Sequence, residues 1–150
     1  MDHAKRAQEL FLQGYNCAQA TFAAFSDVTG IDEATAIKLA SGFGGGMGGL
    51  RDTCGAVTGM FMAADLLFGY ESPTDKEGKA AHYELIRQLA GEFREENGSV
   101  MCRDLLANCP KAQQPMDRTD EYYAVRPCTR LVMDAAAILD RLIEEKNKEK

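Results

Sequence analysis

The sequence predicts an all-α protein: a compact bundle of about five to seven helices, with a Gly-rich loop before a buried central helix. Two observations carry that expectation. Apolar residues recur at steps of three, four and seven, the helical period, while strand-like alternation is nearly absent. Helix-capping residues also stand where one periodic run gives way to the next.

Ala7, Phe11, Ala18, Phe22 and Phe25 form the first apolar face. Gly14 interrupts it, so two helices meet near residues 14–16, a glycine closing the first and Asn16 capping the second. Asp32 is an N-cap for a segment reaching about Ala40. The glycine-dense stretch 42–49 reads as a loop, because nothing regular survives that backbone freedom. Thr53 is placed to cap a helix from Cys54 to about Phe68, apolar nearly all round and therefore central. Ser72-Pro73-Thr74-Asp75 opens a long helix, with Ile86, Leu89 and Phe93 inward, ending near Gly98. Ser99 caps a short helix through Leu106. Residues 107–125, with Pro110 and Pro115, lack periodicity and read as a functional or disordered loop. Pro127 opens the last helix, which turns Leu131, Ala135, Ile138 and Leu142 inward and frays into the charged stretch 144–150. No repeat or linker divides the chain, so residues 1–150 are expected to form a single domain.

Composition narrows the function. With 150 residues and 45% hydrophobic content, the chain can bury a core. A net charge of −6 and scattered Lys and Arg exclude nucleic acid as an expected partner. The most apolar stretch, 56–70, contains Asp65 and is shorter than the roughly 20 residues of a membrane span. No apolar region follows the charged start, so neither a signal peptide nor membrane insertion is expected, and the location is cytoplasmic. Thiols stay reduced there, so five cysteines point to metal binding, redox work or burial rather than a structural disulfide set. His3 and His82 read as solvated positions on polar helix surfaces.

Four cysteines share one kind of position. Cys17 follows Asn16, Cys54 follows Thr53, Cys102 lies just after Ser99, and Cys128 follows Pro127. Each falls in the first turn of an expected helix. Unpaired N–H groups and the helix dipole favour thiolate over thiol there, and thiolate is both the nucleophile and the metal ligand. Without a CxxC pair, any site must be assembled by the fold. Simple burial of small hydrophobic side chains is the competing reading. Cys109 stands apart, in the irregular segment.

The chain resembles the redox-active proteins of the C_GCAxxG_C_C family. Gly14-Tyr15-Asn16-Cys17-Ala18-Gln19-Ala20 looks like the first-cysteine element. The stretch from Ser41 through Gly48, then Cys54-Gly55-Ala56-Val57-Thr58-Gly59, looks like the central motif. Cys102, within 98–106, and Cys128 complete the pattern. The resemblance implies a helical domain with a redox role. Cys109 lies outside the family pattern and adds a candidate disulfide partner for Cys102.

Glycines 44–49 satisfy GxGxxG, but a helix precedes them where a dinucleotide fold needs a strand. Their expected role is to approach the Cys54 sulfur, or a cofactor on it, and donate N–H groups, which makes Gly44, Gly45, Gly46, Gly48 and Gly55 the cofactor-binding candidates. Gly55 and Gly59 also point to close helix packing. The functional expectation is therefore an oxidoreductase or electron-transfer protein built on Cys17, Cys54, Cys102 and Cys128. These are either ligands of an iron–sulfur cluster or other soft metal, or a dithiol/disulfide couple with Cys54 the best attacking thiolate. The alternatives are a non-enzymatic scaffold for an oxidoreductase and anion binding at the glycine loop. Expected partners are an oxidoreductase or electron-transfer protein and a second copy of the chain.

Overall fold

Side-chain caps set the helices. The Asp2 carboxylate accepts from the Lys5 N–H at 3.0 Å and opens α1 (His3–Leu12). Gly14, at φ 109°, turns the chain in a conformation costly for any side chain. Asn16 then opens α2 (Cys17–Ala23) with a capping box, its side chain taking the Gln19 N–H while the Gln19 amide oxygen takes the Asn16 N–H. In this computed structural model, residues 1–107 and 117–149 are described. The remaining helices are α3 (Ser26–Thr29), α4 (Glu33–Leu39), α5 (Gly55–Phe68), α6 (Lys76–Asn97), α7 (Cys102–Leu105), α8 (Asp120–Val125) and α9 (Cys128–Lys148), with a 3₁₀ turn at Ser41–Phe43. The architecture is all-α.

Nine α-helices stand among the described residues, more than the five to seven expected. The two additions, α3 and α8, have four and six residues, too few to show a helical period. Three starts also differ from expectation. The long helix begins at Lys76 with Asp75 as its cap, not at Pro73. Thr53 does not cap α5. It forms an antiparallel bridge with Met101, and Cys54 itself is the N-cap. Ser99 likewise yields to Met101 as the cap of α7, while its hydroxyl accepts the Met101 N–H at 3.0 Å.

The core lies where α2 packs on α5 and α1 on α9. Glycine makes the first contact close. A Cβ on Gly59 would lie 2.7 Å from the Ala18 carbonyl oxygen, and one on Gly55 would lie 2.9 Å from the Ala18 nitrogen and 3.1 Å from Cys17 Cβ. The N-terminal ends of α2 and α5 are thereby held together. The buried residues of α5 all lie between Gly55 and Ala64, and Asp65 and Leu66 are exposed, so the central-helix reading applies to residues 55–64. No helix among the described residues is long and apolar enough to cross a membrane.

Both histidines are buried, against the expectation of solvated side chains. His3, 6% exposed, stacks on Phe25 and bridges Asp140 (2.6 Å) and Asp27 (2.8 Å), joining α1, α9 and α3. His82, 7% exposed, meets Asp65 at 2.6 Å. In each case a carboxylate at the rim satisfies a ring nitrogen, which lets a polar side chain face inward.

Candidate functional site

Three local devices bring the cysteines together. The Thr53–Met101 bridge places Cys54 and Cys102 one residue beyond a directly opposed pair. The Cys54 N–H donates to the Val100 carbonyl (2.8 Å), and the Cys102 N–H donates to that of Asp52 (2.6 Å). Side chains alternate along extended chain, so both cysteines project to the same face of the bridge. Gly55 then lets Cys17, the first residue of α2, lie against the start of α5. Pro127 caps α9 and delivers Cys128 as its first residue. All four cysteines line one cavity of about 50 Å³, shared with Arg51, Arg118, Arg126 and Tyr122. Cys54, Cys102 and Cys128 are buried and Cys17 half-buried; all four are free thiols.

Their electrostatics diverge. Cys128 is drawn down to about 7, first by the Cys17 S–H that donates to its sulfur, then by the Arg126 and Arg118 guanidiniums, which together outweigh burial. Cys17 moves the other way, well above the ordinary thiol range, because that donated proton is held and its site is desolvated. The two thiols therefore titrate as a coupled pair. Burial pushes Cys54 up to about 12, although the Ala56 and Val57 amides at the start of α5 favour its thiolate. Burial also raises Cys102, opposed by Arg51, whose Nη1 lies 3.8 Å from the sulfur.

Placement at helix starts is therefore as expected, but its consequence is not uniform. Cys54 is not the best attacking thiolate: two amides do not offset the desolvation of a buried charge. The expected partner of the glycine loop changes as well. A Cβ on Gly46 would lie 2.7 Å from Cys102 Cβ, so the loop backs Cys102, not Cys54, whose N–H donors come from its own helix. Gly45, Gly46 and Gly55 line the cavity, while Gly44 packs against the Asn16 side chain and Gly48 has only the Gly42 carbonyl oxygen nearby, at 3.7 Å. The N–H groups of Met47, Gly49, Leu50, Arg51 and Asp52 are engaged by carbonyls of residues 43–47, which leaves few loop amides for a ligand.

Positive charge in the cavity comes instead from the arginines, which the sequence reading missed. Arg118 donates to the Phe11 and Tyr15 carbonyls (3.3 and 2.9 Å) and is stacked by the Phe11 and Tyr122 rings, 4.4 and 4.6 Å from their centroids. Arg126 lies over the Tyr122 ring at 4.7 Å. The available signal was proximity in the chain: Arg51 stands three residues before Cys54 and Arg126 two before Cys128. Cys109 lies outside the described residues.

A set of four thiols is soft-donor chemistry, suited to iron–sulfur clusters, zinc or copper(I). Among the described residues, no three Cys, His, Asp or Glu side chains stand in an arrangement ready to hold a metal ion. The donor types fit such a group, and all four would have to ionise and close on it. As it stands, the electrostatics set Cys17 and Cys128 apart from the other two.

A family model described as "Putative redox-active protein (C_GCAxxG_C_C)" matches residues 15–142, and the chain belongs to this family. No curated protein and no solved structure matches it.

Proposed function

We propose that this member of the C_GCAxxG_C_C family works by thiol–disulfide exchange, with Cys17 and Cys128 as the redox couple and Cys128 as the attacking thiolate. What supports this reading is that Cys17 and Cys128 line one cavity with Arg118 and Arg126, and that the ionisation of each thiol is tied to the other. The Cys128 thiolate attacks one sulfur of a partner disulfide and displaces the other as a thiolate. Cys17 then attacks the Cys128 sulfur of the mixed disulfide and releases the second partner thiolate. The Cys17 proton leaves with a departing thiol. Two electrons pass to the partner and a Cys17–Cys128 disulfide remains. Burial keeps Cys54 and Cys102 as thiols, where they do not compete for the partner.

A second reading has its own observation: the cavity gathers four thiols, two more than a disulfide couple uses. Cys17, Cys54, Cys102 and Cys128 would then hold a soft metal or an iron–sulfur cluster, which would supply one-electron transfer, and the arginines would offset its negative charge. In both readings the electrons go to an oxidoreductase or electron-transfer partner.

A redox titration separates the two. In a Cys109→Ser background, the exchange reading predicts a two-electron thiol–disulfide midpoint in metal-free protein. That midpoint persists in Cys54→Ser and Cys102→Ser and is lost in Cys17→Ser and Cys128→Ser. Loss of a bound chromophoric metal from every one of the four single variants would instead establish ligation.

A further inference from the structure

The outer face of α6 carries a charge pattern that the packing of the chain does not use. His82, Leu89 and Phe93 turn to the core. On the opposite face Glu77, Ala80, Glu84, Arg87, Gly91 and Arg94 follow one another at alternating steps of three and four. This stripe is acidic in its first half and basic in its second, with one small residue in each. Counted outward from the midpoint between Leu85 and Ile86, each residue has its complement at equal distance: Glu84 with Arg87, Ala80 with Gly91, Glu77 with Arg94. The helix dipole accounts for Glu77 in the first turn and Arg94 in the last. It does not account for Glu84 and Arg87, which stand two turns or more from either end. Those two meet at 2.7 Å within the chain, but their side chains are 74% and 65% exposed, so the pair contributes little to the monomer. Neither Glu77 nor Arg94 has an ion-pair partner among the described residues. Beside the stripe, α5 and α6 frame a groove of about 260 Å³ lined by Asp65, His82, Tyr83, Ile86 and Arg87. Tyr83 is 49% exposed, and Leu66, next to Asp65 in α5, is 45% exposed, so apolar surface adjoins the charged stripe.

We propose that this face docks a second copy of the chain, with the two α6 helices antiparallel across a two-fold axis. A two-fold interface joins one patch to itself, so every contact occurs twice and the patch must be its own complement. A stripe that changes sign at its midpoint meets that demand in one orientation. With the copies end for end, Glu84 of each meets Arg87 of the other, Glu77 meets Arg94, and Ala80 lies against Gly91. With the copies parallel, acid would face acid and base would face base, which is repulsive. The small pair lets the two backbones approach. Tyr83 and Ile86, from the groove, supply apolar area that surface ion pairs lack. Each copy carries −6, so general repulsion opposes association and the matched stripe offsets it. No α6 residue is among the described residues lining the thiol cavity, so pairing through this face leaves both sets of cysteines unobstructed.

Charge reversal in the full, reduced chain tests this, with mass read by analytical ultracentrifugation at concentrations up to roughly 100 μM. The wild type should sediment as a dimer whose dissociation constant rises with salt. Glu84→Arg gathers only arginines at the centre of the interface, and Arg87→Glu only glutamates. Each should weaken the dimer at least about tenfold, with far-UV circular dichroism unchanged because both positions are exposed. Mixed in equal amounts, the two variants should form a heterodimer about as tight as the wild-type dimer, since the arginines of one copy then face the glutamates of the other. Each variant has lost its own Glu84–Arg87 pair, so recovery on mixing arises only between chains. A wild type that stays monomeric across this range overturns the proposal. So does a dimer that either variant leaves intact, which would mean that the copies meet through another surface. Weakening by both variants without recovery on mixing overturns the antiparallel pairing.

Discussion

Cys54 and Cys128 begin two of the longer helices, line the same cavity, and are 4% and 7% exposed, yet their thiols move in opposite directions. Cys54 receives two backbone amides and is pushed up to about 12; Cys128 receives a thiol proton and two nearby guanidiniums and falls to about 7. The difference teaches that a helix start alone does not make a buried cysteine reactive. Amide dipoles offset part of the desolvation of a thiolate, while full charges nearby reverse it.

The largest expected effect is in labelling. At neutral pH, iodoacetamide should modify Cys128 on the order of a hundredfold faster than Cys54, read by peptide mass spectrometry. Comparable rates at the two sites would break the contrast. A second change acts on its geometry. Gly55→Ala places a methyl against Ala18 and Cys17, separating α2 from α5. Cys17 then loses its hold on Cys128, so the labelling midpoint of Cys128 should climb from about 7 toward the ordinary thiol value. An unmoved midpoint in folded protein would show that the arginines act without Cys17.

Stability against pH carries the same contrast with opposite signs. The Cys128 value is depressed on folding, so its ionisation stabilises the native state above the unfolded thiol value of 9.0, and that contribution fades as pH falls through about 7. The Cys54 value is raised, so its contribution is full below 9.0 and is lost as pH rises toward about 12. In urea unfolding, wild type should therefore gain on Cys128→Ser between pH 7 and 9, by on the order of 2 kcal/mol. Against Cys54→Ser, it should lose ground only above pH 9. The smallest effect calibrates the glycine series. Gly91, in α6, has nothing within 4 Å of its would-be Cβ, so Gly91→Ala should raise stability by about 0.5–1 kcal/mol and leave cysteine labelling unchanged.

Much of this was legible in the chain. Asn16, Asp32 and Gly98 marked real helix ends, and the inward faces of α1, α6 and α9 were periodic enough to read. The four cysteines could be assigned to helix starts because Asn16, Thr53, Ser99 and Pro127 precede them, even though Thr53 and Ser99 turned out to serve the approach to a helix, not its cap. What the chain could not reveal depends on contacts between distant segments. The pairing of Cys17 with Cys128 joins the two ends of the sequence, and Arg118 is placed by carbonyls more than a hundred residues away. The inward turn of His3 likewise depends on Asp140, at the far end of the chain. Local pattern fixes which face a residue occupies, while thiol ionisation is set by whichever charges the fold brings beside it.

The most direct test is a peptide map of the oxidised protein. Reduced, metal-free Cys109→Ser protein, treated with a limiting neutral oxidant and digested without reductant, should yield a disulfide-linked pair of peptides containing Cys17 and Cys128, with Cys54 and Cys102 recovered as thiols. A Cys54–Cys102 link formed first, with Cys17 and Cys128 still reduced, would contradict it.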